Sequence, residues 1–136
     1  MSPRRQERLF AKKYAKTLLN IARGDYKTAL VLLDADNYRI ENAFYMAQQA
    51  IEKSLKAVLV HKEIPVPMIH DLSALLSKLP SDCEPPYGYE LNELNEYAAA
   101  KRYEEGNWEP TKEELKQILE KTKNMIVWSE GEIKNS

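Results

Sequence analysis

A chain of 136 residues, 43 % hydrophobic and 30 % charged, has the length for a single domain spanning residues 1–136 and lies far from a disordered composition. Its formal net charge of −1 argues against holding nucleic acid by bulk electrostatics. Cys83 is the one cysteine, which excludes an intrachain disulfide and a cysteine-built zinc knuckle.

The most apolar run, Ala57 to Val60, is far too short to span a bilayer. The N-terminal charges are not followed by the apolar region of a secretory signal, so the expected compartment is the cytoplasm, with no membrane contact. Only four glycines occur, and six of the seven prolines follow residue 60. Long stretches are therefore free of helix breakers.

The first segment, about Pro3 to Asp34, reads as a helix. Leu9, Phe10, Tyr14, Leu18, Ile21 and Ala22 recur at helical spacing, and Ala29, Leu30, Leu32 and Leu33 continue past Gly24. Gly24-Asp25 is a place for this helix to bend or split, and Asp34-Ala35-Asp36-Asn37 reads as the turn that ends it. The second helix runs from about Ile40 to His61. Ile40, Ala43, Phe44, Ala47, Ala50, Ile51, Leu55, Val58 and Leu59 form one continuous stripe, and its alanines let another helix come close. This is the expected central helix. Gln48, Gln49, Glu52, Lys53 and Lys56 are expected on its polar side.

Ile64-Pro65-Val66-Pro67 cannot stay helical, because proline pushes the residue before it toward extended backbone. A short helix follows: Leu72, Leu75, Leu76 and Leu79 sit at helical steps behind a start at His70-Asp71, and Pro80 stops it. Ser81 to Gly88 reads as a loop. Leu91, Leu94, Tyr97 and Ala98 mark a further helix, whose stripe continues onto Arg102, and Gly106-Asn107 ends it. Thr111 and Glu114 match a capping box ahead of the last helix, which carries Leu115, Ile118, Leu119, Thr122, Met125 and Ile126. The expectation is an all-α bundle of four long helices and one short one.

Charge is unevenly spread. Through Lys27 the chain has Arg4, Arg5, Arg8, Lys12, Lys13, Lys16, Arg23 and Lys27 against Glu7 and Asp25, whereas glutamates dominate from Asp82 to Glu120. Such asymmetry either orients an anionic ligand or a second subunit, or belongs to two solvated helices.

No Gly-rich phosphate loop, paired metal-binding histidines or nucleophile elbow occurs. With two histidines and one cysteine, no metal or other cofactor is expected. Arg102, at the edge of an apolar stripe, either pairs with an internal carboxylate such as Glu52 or offers its planar fork to a phosphate. His70 either transfers a proton near neutral pH or hydrogen-bonds across a loop-to-helix junction. Trp108 and Trp128 either stack on bases or fill a core or an interface.

Three runs now stand in order: AFYMAQQAIEKSLKAVL at Ala43 to Leu59, HDLSALL at His70 to Leu76, and LNEYAAAKRY at Leu94 to Tyr103. Their sequence and spacing resemble the HEPN domain (higher eukaryotes and prokaryotes nucleotide-binding), with ALVLLDADNY before them also fitting. The resemblance covers nearly the whole chain. It implies an up-and-down helical bundle with a short extra helix, often dimeric, that binds nucleotides or RNA and in many cases pairs with a small nucleotidyltransferase in toxin–antitoxin modules. Nuclease members carry an arginine, then four to six intervening residues, then a histidine, with two such motifs facing each other across a dimer, and cleave without metal.

This chain departs from that pattern. Arg102 is followed by Tyr-Glu-Glu-Gly-Asn-Trp, so Asn107 and Trp108 stand where the histidine is expected. Asparagine hydrogen-bonds a phosphate or ribose but does not shuttle a proton near neutral pH, and the nearby glutamates repel a phosphate backbone. The resemblance therefore implies a non-catalytic nucleotide- or RNA-binding and partner-docking module, in which Arg102 holds phosphate, Tyr103 lies beside it, and Lys56 and His70 supply further contacts. The expected partners are a second copy of the chain and a nucleotidyltransferase-like protein. Two alternatives stay open: a metal-independent ribonuclease toxin with a degenerate motif, using Arg102 and His70, and a purely structural protein-interaction module.

Overall fold

The computed structural model describes residues 2–35, 39–66, 71–94 and 111–134. Helix α1 spans Pro3–Asp34, α2 Ile40–His61, α3 Leu72–Ser77 and α4 Lys112–Lys134, with a 3-10 helix at Gly88–Leu94 between α3 and α4. The fold is the expected all-α bundle.

Helix starts are chemically marked. Ser2 caps α1, its hydroxyl accepting from the Arg5 amide at 3.2 Å, with Pro3 in the first helical turn. Asp71 caps α3 by accepting from the Ser73 amide at 3.0 Å. Thr111 accepts from the Glu114 amide at 3.1 Å and donates its hydroxyl proton to the Glu114 carboxylate at 3.1 Å. This is the reciprocal Thr–Glu pair foreseen ahead of α4.

Helix α2 lies at the centre, packed against α1, α3 and α4, while α1 also packs on α4. Contacts along the helices set their directions. Arg4 reaches Glu63 at 3.7 Å and Asp25 reaches Lys53 at 2.7 Å, so α1 and α2 run antiparallel. The Ser129 hydroxyl donates to the Ser54 carbonyl at 2.9 Å and Lys62 reaches Glu132 at 3.7 Å, so α4 runs parallel to α2.

The α2 stripe is buried as expected from Ala43 to Leu59, with Ile51, Leu55, Val58 and Leu59 fully enclosed. Leu115, Ile118, Leu119, Thr122, Met125 and Ile126 of α4 are all buried too. Facing α2, helix α1 contributes mostly alanine: Ala11, Ala15, Ala22 and Ala29 are buried beside Leu18 and Leu19. Small side chains on both helices let the backbones approach closely.

Three expectations differ from the structure. Gly24-Asp25 does not split α1, which is one continuous α-helix of 32 residues. The helix holds because Ala22 and Ala29 continue the buried face on either side of Gly24 and Asp25 is tied to Lys53. The apolar stripe read for α1 also mixed two faces. Leu18 and Ala22 are buried, whereas Leu9, Phe10, Tyr14 and Ile21 are exposed. The helix expected from Leu91 begins as a 3-10 turn with Leu91 buried; its continuation through Tyr97, Ala98 and Gly106 lies outside the described residues.

Two substitutions test this packing by chemical unfolding. Ala22→Leu, at a fully buried position against α2, is expected to lower stability by about 1–3 kcal/mol through overpacking. Gly131→Ala, in α4 where an added Cβ meets nothing within 4 Å, is expected to raise it by about 0.5–1 kcal/mol.

Candidate functional site

The side of α2 expected to be polar is largely enclosed rather than solvated. Gln48, Gln49 and Glu52 are buried, Glu52 to 3 % exposure. Burying amide and carboxylate groups on a central helix is costly unless they are hydrogen-bonded or paired. Steps of three and four residues put Gln49, Glu52 and Lys56 on one line along the helix. The Lys56 Nζ lies 3.4 Å from Glu52 Oε1, so its ammonium is held over a buried carboxylate rather than swinging free. Lys53 points elsewhere. It binds Asp25 of α1 at 2.7 Å and ties the two helices together.

Of the four residues expected to hold nucleotide or RNA, Lys56 is therefore placed, partly buried beside Glu52. Arg102, Tyr103 and His70 lie outside the described residues, as do Asn107 and Trp108. Asp71, next to His70 in sequence, is committed to capping α3. Trp128 is half-buried against the hydrophobic core, the packing role rather than the stacking one.

A second polar region was missed in the sequence. Antiparallel pairing brings the start of α1 to the end of α2, where His61 sits among Lys12, Lys16 and Lys62. Burial, then the charges of these three lysines, holds the His61 imidazole below its ordinary pKa. Arg5, Arg8, Lys12, Lys13 and Lys16 are exposed along the same end of α1. The signal was the basic run itself, but its meeting with His61 depends on the helix pairing.

Further along, the basic and acidic helices meet within one subunit: Arg23 of α1 binds Glu130 of α4 at 2.8 Å, and Lys134 binds the same carboxylate at 2.8 Å. Those hydrogen bonds from Lys134 and Arg23 hold the Glu130 carboxyl below its usual range. Cys83 offers no nucleophile at neutral pH, since burial and then the neighbouring Glu132 carboxylate push its thiol up to about 11. Among the described residues no group of three or more His, Cys, Asp or Glu side chains is placed to hold a metal ion, and no helix is long and apolar enough to cross a membrane.

The described residues form an all-α bundle whose central helix carries the buried Gln48, Gln49 and Glu52, with Lys56 partly buried beside Glu52. The family comparison names the class of bundle: the chain matches the model of the HEPN domain over residues 15–132 and belongs to that family. HEPN domains are nucleotide-binding and RNase-type modules. Comparison with curated proteins and with solved structures gives no match.

The lowered pKa of His61 has a measurable consequence. The unfolded chain, with an ordinary histidine near 6.5, takes up the proton before the folded chain does. The His61 contribution to stability is therefore level above that pH and declines as pH falls from about 6.5 toward the folded value. Urea midpoints measured between pH 5 and pH 8 should show this decline, reduced by added salt, which screens the lysines. In His61→Gln that part of the decline should disappear.

Proposed function

We propose that the chain is a non-catalytic nucleotide- or RNA-binding HEPN module that docks a protein partner. The observation that carries this reading is the buried polar line on α2: Glu52 at 3 % exposure with the Lys56 ammonium 3.4 Å away. Such groups are expensive in a core and are accounted for when they organise a site. Lys56 supplies a cation fixed in position, Arg102 supplies a planar fork for phosphate, Tyr103 lies beside it and His70 adds a further contact. Asn107 and Trp108, standing where nuclease members have histidine, favour binding without cleavage, because neither side chain exchanges a proton near neutral pH.

In the cell this module acts in the cytoplasm as one domain and as a homodimer. A minimal nucleotidyltransferase is the proposed protein partner, in a toxin–antitoxin type system. The exposed cations at the start of α1 support an anionic ligand, since they attract one without a high net charge on the whole protein.

The test is a titration of labelled single-stranded RNA in EDTA, following retention and fragment size together. The wild type should retain RNA intact, and Arg102→Ala should weaken retention about 10- to 100-fold, the size of a lost charge-assisted contact. Cleavage that vanishes in Arg102→Ala would overturn the non-catalytic reading in favour of a nuclease with an unusual motif. Absence of both signals would leave protein docking alone.

A further inference from the structure

The basic side of α1 meets the ends of two other helices. Arg5, Lys12, Lys16, Arg23 and Lys27 follow one another at steps of seven, four, seven and four residues, which puts all five on one side of the helix. Phe10, Tyr14 and Ile21 form the exposed apolar stripe on another side. Because α1 runs against both α2 and α4, the last turns of those helices arrive at the middle of the cationic line.

A groove lies at that meeting point, a cavity of about 230 Å³ between α1 and α4. The buried Leu19 and Ile133 form its floor, and Lys16, Asn20, Arg23 and Lys134 stand round it. Arg23 is fixed in position. Its guanidinium donates to Asn20 Oδ1 at 2.9 Å and to Glu130 Oε2 at 2.8 Å, through different nitrogens. Lys134 donates to Oε1 of the same carboxylate at 2.8 Å. Glu130 therefore holds two cations at the edge of the groove, and its single charge cannot cancel both.

The positive excess extends past the groove. Around it and its mouth stand five cations, Lys12, Lys16, Arg23, Lys62 and Lys134, against the carboxylates of Glu130 and Glu132. Arg4, further out, is taken up by Glu63 at 3.7 Å. His61, in the last turn of α2, registers the excess: burial, then Lys12, Lys62 and Lys16, holds its imidazole below the ordinary pKa. Lys16 belongs to both neighbourhoods, lining the groove and acting on His61.

The donors select the ligand. A guanidinium has N–H groups beyond the two already used, an ammonium has three, and Asn20 keeps its amide nitrogen to donate once its oxygen has accepted from Arg23. A planar fork, an amide and two point charges converging on a small space suit a compact anion with several acceptor oxygens. A cavity of this size is below the range that encloses a whole drug-sized molecule, so it takes a group rather than a complete nucleotide.

We propose that the groove at Lys16, Arg23 and Lys134 binds a phosphate group, with Lys12 and Lys62 adding attraction at its mouth. The group belongs either to a free phosphate compound or to the backbone of an RNA strand lying along the cationic side of α1. The Glu52–Lys56 line is a different place: Lys56 and His61 are five residues apart, about 140° round α2. The groove shares the ligand class of the reading above but none of the residues assigned there to binding, so each can fail alone.

Pyrophosphate titrated into the full chain at fixed ionic strength, with the His61 ring resonances followed by NMR, tests this. His61→Gln assigns those resonances. In the wild type they should shift saturably, and the His61 pKa should rise as the bound anion offsets the lysines. Lys16→Ala with Lys134→Ala, both at exposed positions, should weaken binding about 10-fold or more with the helical circular dichroism unchanged. Lys116→Ala with Lys123→Ala removes the same charge from exposed positions roughly 10 Å or more along α4 from Glu130, and should leave binding intact.

Retention of labelled single-stranded RNA by the same two double variants separates the sources. A fall confined to Lys16→Ala with Lys134→Ala makes the strand backbone the ligand. Unchanged retention, with pyrophosphate binding lost in that pair, makes it a free phosphate compound. The absence of any saturable His61 shift with pyrophosphate would overturn the site, and so would equal weakening by the two double variants, which is bulk charge alone.

Discussion

The close approach of α1 and α2 is the constraint on which the rest of this structure depends. Ala11, Ala15, Ala22 and Ala29 on one helix, and Ala43, Ala47, Ala50 and Ala57 on the other, are all buried. Alanine has no side-chain entropy to lose and lets backbones come near enough for dispersion contacts along their length. Asp25–Lys53 and Arg4–Glu63 then fix which way the helices run. Everything else is placed from this pair. The basic end of α1 is carried to His61, and α4 is held in place by Ser129–Ser54 and Arg23–Glu130.

Being central has a consequence for α2. A helix with neighbours on several sides buries polar residues that its sequence would otherwise present to water. Gln48, Gln49 and Glu52 are buried for this reason, and two lysines three residues apart have different work. Lys53 joins α1 to α2. Lys56, one turn beyond Glu52, is held by a carboxylate that has almost no contact with solvent.

Much of this was legible in the sequence, and the failures have physical causes. The stripe of α2, the Asp71 cap and the Thr111–Glu114 pair could be read because each depends on residues a few positions apart. The α1 face was misjudged because spacing alone does not separate an apolar stripe that is buried from one that is exposed. The alanines that form the true interface are weak hydrophobes and drew less attention than Phe10 and Tyr14. The burial of Glu52 and the crowding of His61 by Lys12 and Lys16 depend on residues brought together from different helices. Lys56 of the candidate site could be placed; Arg102, Tyr103 and His70 rest on the sequence.

Net charge was the least informative of the global quantities, and the structure explains why. Arg23 and Lys134 share Glu130, Lys62 reaches Glu132, and Lys53 meets Asp25, so part of the opposed charge is paired between helices of one subunit. The cations at the start of α1 remain exposed and crowd close enough to depress His61. A protein of net charge −1 therefore still has a region where an anion is attracted at short range, within the roughly 8–10 Å over which salt leaves such fields effective. That region and the apolar stripe occupy different faces of the same helix. A single amphipathic pattern cannot describe α1, because it must satisfy a core, an exposed basic face and an exposed apolar face at once.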